Sequence, residues 1–202
     1  MNIVFFTQRV EVVESYGERR DCADQRISGF ISACGFIPVP LPNNCELLGE
    51  LFSQIRPVGI ILTGGNSLVR YGGDAPERDA MDEGLIDIAI QKRIPLYGFC
   101  RGMQSILSYF GNELLNVENH VAVRHVVLER GESYEVNSFH NQACIRLKEG
   151  SGLRVRAISS EGIIEAVSHE CFPILGTMWH PERERMFSER DMTRVKELFC
   201  SG

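Results

Sequence analysis

A chain of 202 residues, 44% hydrophobic and 24% charged, has the size and composition of one soluble globular domain, which excludes extensive disorder. A formal net charge of -6 offers no broad basic surface and argues against nucleic acid as the main partner. No apolar run approaches the roughly 18–20 residues of a spanning helix, and the first nine residues lack the basic start of a signal peptide, so no membrane role and a cytoplasmic location are expected.

In chain order, Ile3–Phe6 predicts a strand, Asp21–Cys34 a helix stopped by Gly35, and Phe36–Leu41 a strand whose Pro38 and Pro40 confine it to an edge. Cys45–Gln54 follows as a helix, Gly59–Leu62 as a compact strand running into Thr63-Gly64-Gly65, and Pro76–Lys92 as a helix with Met81, Leu85, Ile88 and Ala89 on one face. Leu96–Phe99 is the next strand, and Arg101–Phe110 a helix closed by Gly111. The second half reads as short strands at Val121–Leu128, Tyr134–Val136, Val155–Ile158 and Ile163–Val167, then a buried strand at Ile174–Met178 and a final amphipathic helix after Ser188. The pattern predicts a single α/β domain over residues 1–202: a mostly parallel central sheet with helices on both faces, a flavodoxin-like core, and a β-rich excursion in the second half.

The seven cysteines are odd in number, widely spaced and without a C-x-x-C pair, so neither a disulfide framework nor a zinc pattern is expected. Six read as buried, reduced thiols. Cys100 differs, because Gly98-Phe99-Cys100-Arg101-Gly102 places it on a sharp turn between a buried strand and a helix. Such an elbow projects the nucleophile, its glycines let backbone pass closely, and the helix N-terminus favours the thiolate. A thiol nucleophile needs a base; His180 follows a buried strand, and Glu182 two residues later can orient its ring. Read singly, His180 is a core or surface histidine and Glu182 a solvated acid; read together behind the elbow, the two favour the catalytic reading.

The octapeptide Tyr97 to Gln104 and the later Met178-Trp179-His180-Pro181-Glu182 together resemble a class I glutamine amidotransferase-like domain. Leu62-Thr63-Gly64-Gly65 with Tyr71-Gly72, Glu77-Arg78-Asp79, and Val136 to Gln142 resemble the γ-glutamyl-γ-aminobutyrate hydrolase group of that family. The likeness runs from about residue 1 to 200, and Glu18 to Arg26 is most similar to the γ-glutamyl-CDP-amidate hydrolases of capsule phosphoramidate synthesis.

The resemblance implies a Cys100, His180, Glu182 triad that cleaves a γ-glutamyl amide through a thioester, without a cofactor. It implies an oxyanion hole from the backbone N–H groups of Arg101 and Gly65, with Gly64 beside the substrate, and places Gln104, Asn137, Ser138 and Phe139 where such enzymes hold the glutamyl amino and carboxylate groups. His140 is left open between a pocket residue and a histidine bonded to loop backbone. Arg19, Arg20 and Arg26 read as a charge run on a helix start, a solvated face or a pyrophosphate clamp. His120 and His125 lack acidic partners at ligand spacing, so no metal is expected.

The expected partner is a small γ-glutamyl substrate, and a homodimer is compatible with the sequence. Because the chain ends about 20 residues beyond the triad without a synthetase domain, a free-standing hydrolase is expected over the glutaminase subunit of a two-protein amidotransferase. Retention of the three triad residue types weighs against a redox-sensing relative.

Overall fold

Structure is described for residues 2–200, from a computed structural model. Strand β1 (Ile3–Phe6) is followed by a hairpin of β2 (Arg9–Val13) and β3 (Glu18–Cys22), then α1 (Gln25–Ala33) and β4 (Ile37–Pro40). Helix α2 (Leu48–Gln54) leads to β5 (Gly59–Leu62), α3 (Pro76–Lys92) leads to β6 (Leu96–Phe99), and α4 (Arg101–Tyr109) leaves β6 through Cys100. The rest is β7 (Leu115–Asn116), β8 (Val121–Glu129), β9 (Glu132–Phe139), β10 (Gln142–Ala143), β11 (Leu153–Ser159), β12 (Ile164–His169), β13 (Ile174–Thr177) and α5 (Glu189–Cys200).

Nine strands form one sheet in the order β4-β1-β5-β6-β13-β12-β11-β8-β9. The first five are mutually parallel and the remainder pair antiparallel. Strand alternation sends successive side chains into two cores. Val4, Phe6, Ile61, Tyr97 and Phe99 pack with Phe30, Ile31, Val195 and Phe199 of α1 and α5. Phe5, Ile60, Leu62 and Leu96 pack on the other face with Phe52, Met81, Leu85, Met103 and Ile106 of α2, α3 and α4. The expected α/β fold with helices on both faces is the fold observed, and β4, with its two prolines, pairs only with β1 at the edge.

The β-rich second half is observed as expected, and it joins the main sheet, since β12 pairs with β13 and carries the same sheet onward. Several expectations change. The first helix starts at Gln25 rather than Asp21, because Asp24 caps it by accepting from the Arg26 N–H at 2.9 Å. Residues 18–22 instead form β3, where Arg19 and Arg20 pair in register with Val12 and Glu11, so both arginines lie on an exposed hairpin strand, not a helix start. Finally, Cys45–Leu47 is a 3-10 turn, and the α-helix begins after it.

Candidate active site

The carboxyl ends of β5, β6 and β13 lie side by side, and each runs into a segment carrying predicted site residues, as expected of the crevice in an open α/β sheet. Phe99 of β6 pairs with Thr177 of β13, and the Cys100 N–H donates to the Thr177 carbonyl at 2.8 Å. Cys100 therefore leaves the sheet beside the strand that delivers His180 three residues later.

Cys100 has φ 51° and ψ -111°, a conformation that costs a non-glycine residue about 1–3 kcal/mol and that the surrounding packing must hold. The packing is close: a Cβ on Gly102 would lie 2.0 Å from the Leu62 carbonyl oxygen, so only glycine lets α4 sit this near β5. Because Arg101 is the first residue of α4, its N–H has no carbonyl one turn back and stays free for an anion.

His180 is buried, and its Nδ1 lies 2.6 Å from Glu182 Oε1, which leaves Nε2 for the Cys100 side. Phe99 and Phe139 meet the ring edge-on, with centroids 5.7 and 5.6 Å away. A Cβ on Gly64 would come within 2.7 Å of the imidazole Cε1, so the loop after β5 passes the ring only because Gly64 has no side chain. Burial alone would lower the His180 pKa, but the adjoining Cys100 sulfur and the Glu182 carboxylate outweigh it and push it up to about 10.

The backbone of His180 is fixed by a side chain assigned to substrate in the sequence reading. Asn137 Oδ1 accepts from the His180 N–H at 2.9 Å, and Asn137 Nδ2 donates to the His180 carbonyl at 2.8 Å and to Glu184 Oε1 at 2.9 Å. Ser138 Oγ, fully buried, donates to the His120 carbonyl at 2.6 Å, and Gln104 Nε2 donates to the Gln142 carbonyl at 2.9 Å. Asn137 and Ser138 thus have their side chains occupied within the protein, while the Phe139 ring stays against His180. His140 lies in a separate cluster with His120, His125 and Glu165.

Around His180, Arg9, Cys22, Thr63, Gly64, Gly65, Glu182 and Arg183 line a pocket of about 130 Å³. Neither Arg19 nor Arg20 belongs to it. Arg19 donates from Nε to Glu77 Oε1 at 2.6 Å and from Nη2 to the Asp74 carbonyl, and Arg20 pairs with Glu18. Arg26 Nε donates to the Glu182 carbonyl at 2.7 Å, bracing the turn that follows His180. An open groove of about 730 Å³, lined among others by Glu129, Tyr134 and Arg194, contains none of the predicted site residues, so size does not mark the site.

The side-chain roles of the charges buried in α3 and α4 emerge only in the fold. Arg78 Nη2 donates to the Thr63 carbonyl at 2.8 Å and to Thr63 Oγ1 at 2.9 Å, holding the start of the glycine loop. The Arg101 guanidinium, 1% exposed, pairs with Asp79 and Asp82, and Ser105 Oγ donates to Asp82 Oδ2 at 2.7 Å. Both sides of the elbow are thereby tied to α3. The available signal was Arg78 and Asp82, four residues apart, straddling Met81 on the apolar face of α3.

The sequence signature of the peptidase C26 family matches residues 3–127 and 108–182. The chain belongs to that family. It is an amide-bond hydrolase by this membership. Among its relatives, γ-glutamyl-CDP-amidate hydrolase of Campylobacter jejuni is 34% identical over 181 residues, 88% of each chain. The γ-glutamyl-γ-aminobutyrate hydrolase PuuD of Escherichia coli is 30% identical over 208 residues, 82% of this chain and 80% of that one. In fold, the chain resembles the crystal structure of a glutamine amidotransferase from Thermotoga maritima, with a TM-score of 0.64 at 15% identity over 100% of this chain and 84% of that one.

Proposed function

We propose that this protein hydrolyses a γ-glutamyl amide through a Cys100, His180, Glu182 triad, with a γ-glutamyl-CDP-amidate-type conjugate as substrate. The observation that carries the reading is the in-register ending of β6 and β13, with a strained Cys100 elbow on one strand and, past the other, a His180 whose Nδ1 is held by Glu182. The Cys100 sulfur attacks the γ-carbonyl carbon, and the oxyanion is met by the N–H groups of Arg101 and Gly65. As the carbon–nitrogen bond breaks, the His180 imidazolium gives its proton to the departing nitrogen. Water then attacks the thioester, His180 takes a proton from it, and the carbon–sulfur bond breaks to release glutamate and restore the thiolate. Glu182 fixes the ring and favours the protonated form in which it begins.

The nucleotide-like leaving group is supported by the Campylobacter jejuni relative and by chemistry at the pocket mouth. Arg9 and Arg183 both line the pocket, about 46% and 38% exposed, and Arg183 stacks over Phe139 at 4.3 Å. Two guanidinium groups at the rim suit a pyrophosphate beyond the scissile bond.

Glutamate release from glutamine, γ-glutamyl-GABA and γ-glutamyl-CDP-amidate tests the reading. The expected result is the highest kcat/KM for the nucleotide conjugate, lowered about tenfold by Arg9→Ala together with Arg183→Ala, with slow glutamine hydrolysis unchanged. Faster turnover of γ-glutamyl-GABA, or of glutamine, would replace this substrate with that one.

A further inference from the structure

Around the start of β8, the end of β9 and the start of β12 lies a buried group of ionisable side chains that the hydrolase mechanism does not use. Strand β11 ends at Ser159, opposite Val127 of β8, so the earlier part of β8 and the start of β12 face each other across the space beyond. Three histidines and one carboxylate fill it. Glu165 Oε1 lies 3.5 Å from His125 Nε2, 3.5 Å from His140 Nε2 and 3.7 Å from His120 Nδ1. Glu165, His120 and His140 are 0%, 2% and 3% exposed.

These separations are long for hydrogen bonds, and His120 Nδ1, both ring nitrogens of His125 and of His140, and both Glu165 oxygens have no hydrogen-bond partner. A buried carboxylate with unsatisfied imidazoles around it is costly unless something meets them all. The spacing suits a cation at the centre. Metal–nitrogen and metal–oxygen bonds of about 2.0–2.1 Å in a tetrahedron put neighbouring ligand atoms about 3.3–3.4 Å apart. The carboxylate–imidazole separations of 3.5–3.7 Å are near that spacing, and one ligand atom from each of His120, His140 and Glu165 lies within 4.8 Å of the others, so the imidazole rings move inward when an ion binds. His120 also shows the outer-shell arrangement of a metal ligand: its Nε2 is 3.3 Å from the exposed carboxylate of Glu161, which leaves Nδ1 directed inward.

We propose that His120, His140 and Glu165 bind one divalent transition-metal ion, zinc by ligand type, with His125 in the fourth position. Mixed imidazole and carboxylate ligation suits zinc. Two carboxylates, Glu165 and the outer Glu161, match its charge. The ion is structural, joining the paired ends of β8 and β9, where the His140 N–H donates to the His120 carbonyl at 3.0 Å, to β12. The Glu165 carbonyl in turn accepts from the Met178 N–H at 2.8 Å, two residues before His180. In the sequence His120 and His125 have no acidic partner at ligand spacing; the fold brings Glu165 to the histidines from 40 residues beyond His125.

The test uses the whole chain with Cys100→Ala, so that zinc cannot report on a thiolate, beside the unsubstituted protein. After chelation and dialysis, zinc is titrated while imidazole nitrogens are followed by ¹⁵N NMR and bound metal by elemental analysis. The expected result is one ion per chain, with ring resonances of His120, His125 and His140 shifted, those of His169 and His180 unmoved, and a higher Tm. Glu165→Gln, which keeps the volume, is expected to weaken zinc binding at least about tenfold in folded protein. Absence of stoichiometric binding, movement of the His180 resonance alone, or binding unchanged in Glu165→Gln would each overturn the site.

Discussion

The two halves of the sheet solve different problems. The parallel half, β4-β1-β5-β6-β13, is covered by helices on both faces, and β5 and β6 are buried at every position. The antiparallel half, β12-β11-β8-β9, is only partly covered: Val126, Leu128 and Ile158 are 48%, 46% and 36% exposed. Doubly covered strands must be apolar throughout and read as continuous runs, whereas singly covered strands admit polar residues on alternate positions. The chemistry divides along the same line. The parallel half presents Cys100, the proposed nucleophile, and the antiparallel half supplies Asn137 and Phe139, which hold His180.

The largest expected effect tests the parallel half. Cys100→Ala lowers kcat to below about a hundredth of the parent while circular dichroism and Tm stay close to it, because the sulfur leaves without opening a large core cavity. Retained turnover would move the nucleophile elsewhere.

Next come the base and its partner. His180→Ala costs more in kcat than Glu182→Gln, since orientation is partly replaceable and the base is not; the reverse order contradicts the assigned roles. The pH dependence separates them further. The folded-state pKa of His180 is raised from the usual 6.5 to about 10, so the stabilisation of its protonated form is fully present below about 6.5 and is lost as pH rises through about 10. The alkaline limb of kcat/KM accordingly falls near pH 10 in the parent and at lower pH in Glu182→Gln, where the supporting carboxylate charge is gone. A limb at the same pH in both would remove Glu182 from that role.

A smaller effect links the two halves. Asn137→Ala removes two hydrogen bonds to the His180 backbone, each worth about 1 kcal/mol net. It is expected to lower kcat about tenfold with little change in KM; a rise in KM alone would make Asn137 a substrate contact instead. The smallest effect belongs to the hairpin. Arg19→Ala with Arg20→Ala leaves kcat/KM within about twofold for every substrate in the panel, because both guanidinium groups make exposed ion pairs away from the pocket, of a kind worth about 0–1 kcal/mol. A tenfold loss confined to the nucleotide conjugate would restore them as the anion site.

Local sequence determined the strands of the parallel half, the elbow at Cys100 and the pairing of His180 with Glu182. These depend on continuous apolar runs, on glycines where backbone passes closely, and on residues two positions apart, all of which short-range order records. It also determined that β4 is an edge, because proline cannot donate to a second neighbour. The β2–β3 hairpin was hidden, since its exposed, charged strands carry almost no hydrophobic pattern. Only the tertiary structure decided that Asn137 grips the His180 backbone, that Arg78 and Arg101 tie the glycine loop and elbow to α3, and that Glu165 meets three histidines. Each is a contact between polar groups far apart in the chain, brought together by strand order. Buried polar partners are chosen by geometry and by the cost of leaving a charge unsatisfied, neither of which periodicity reveals.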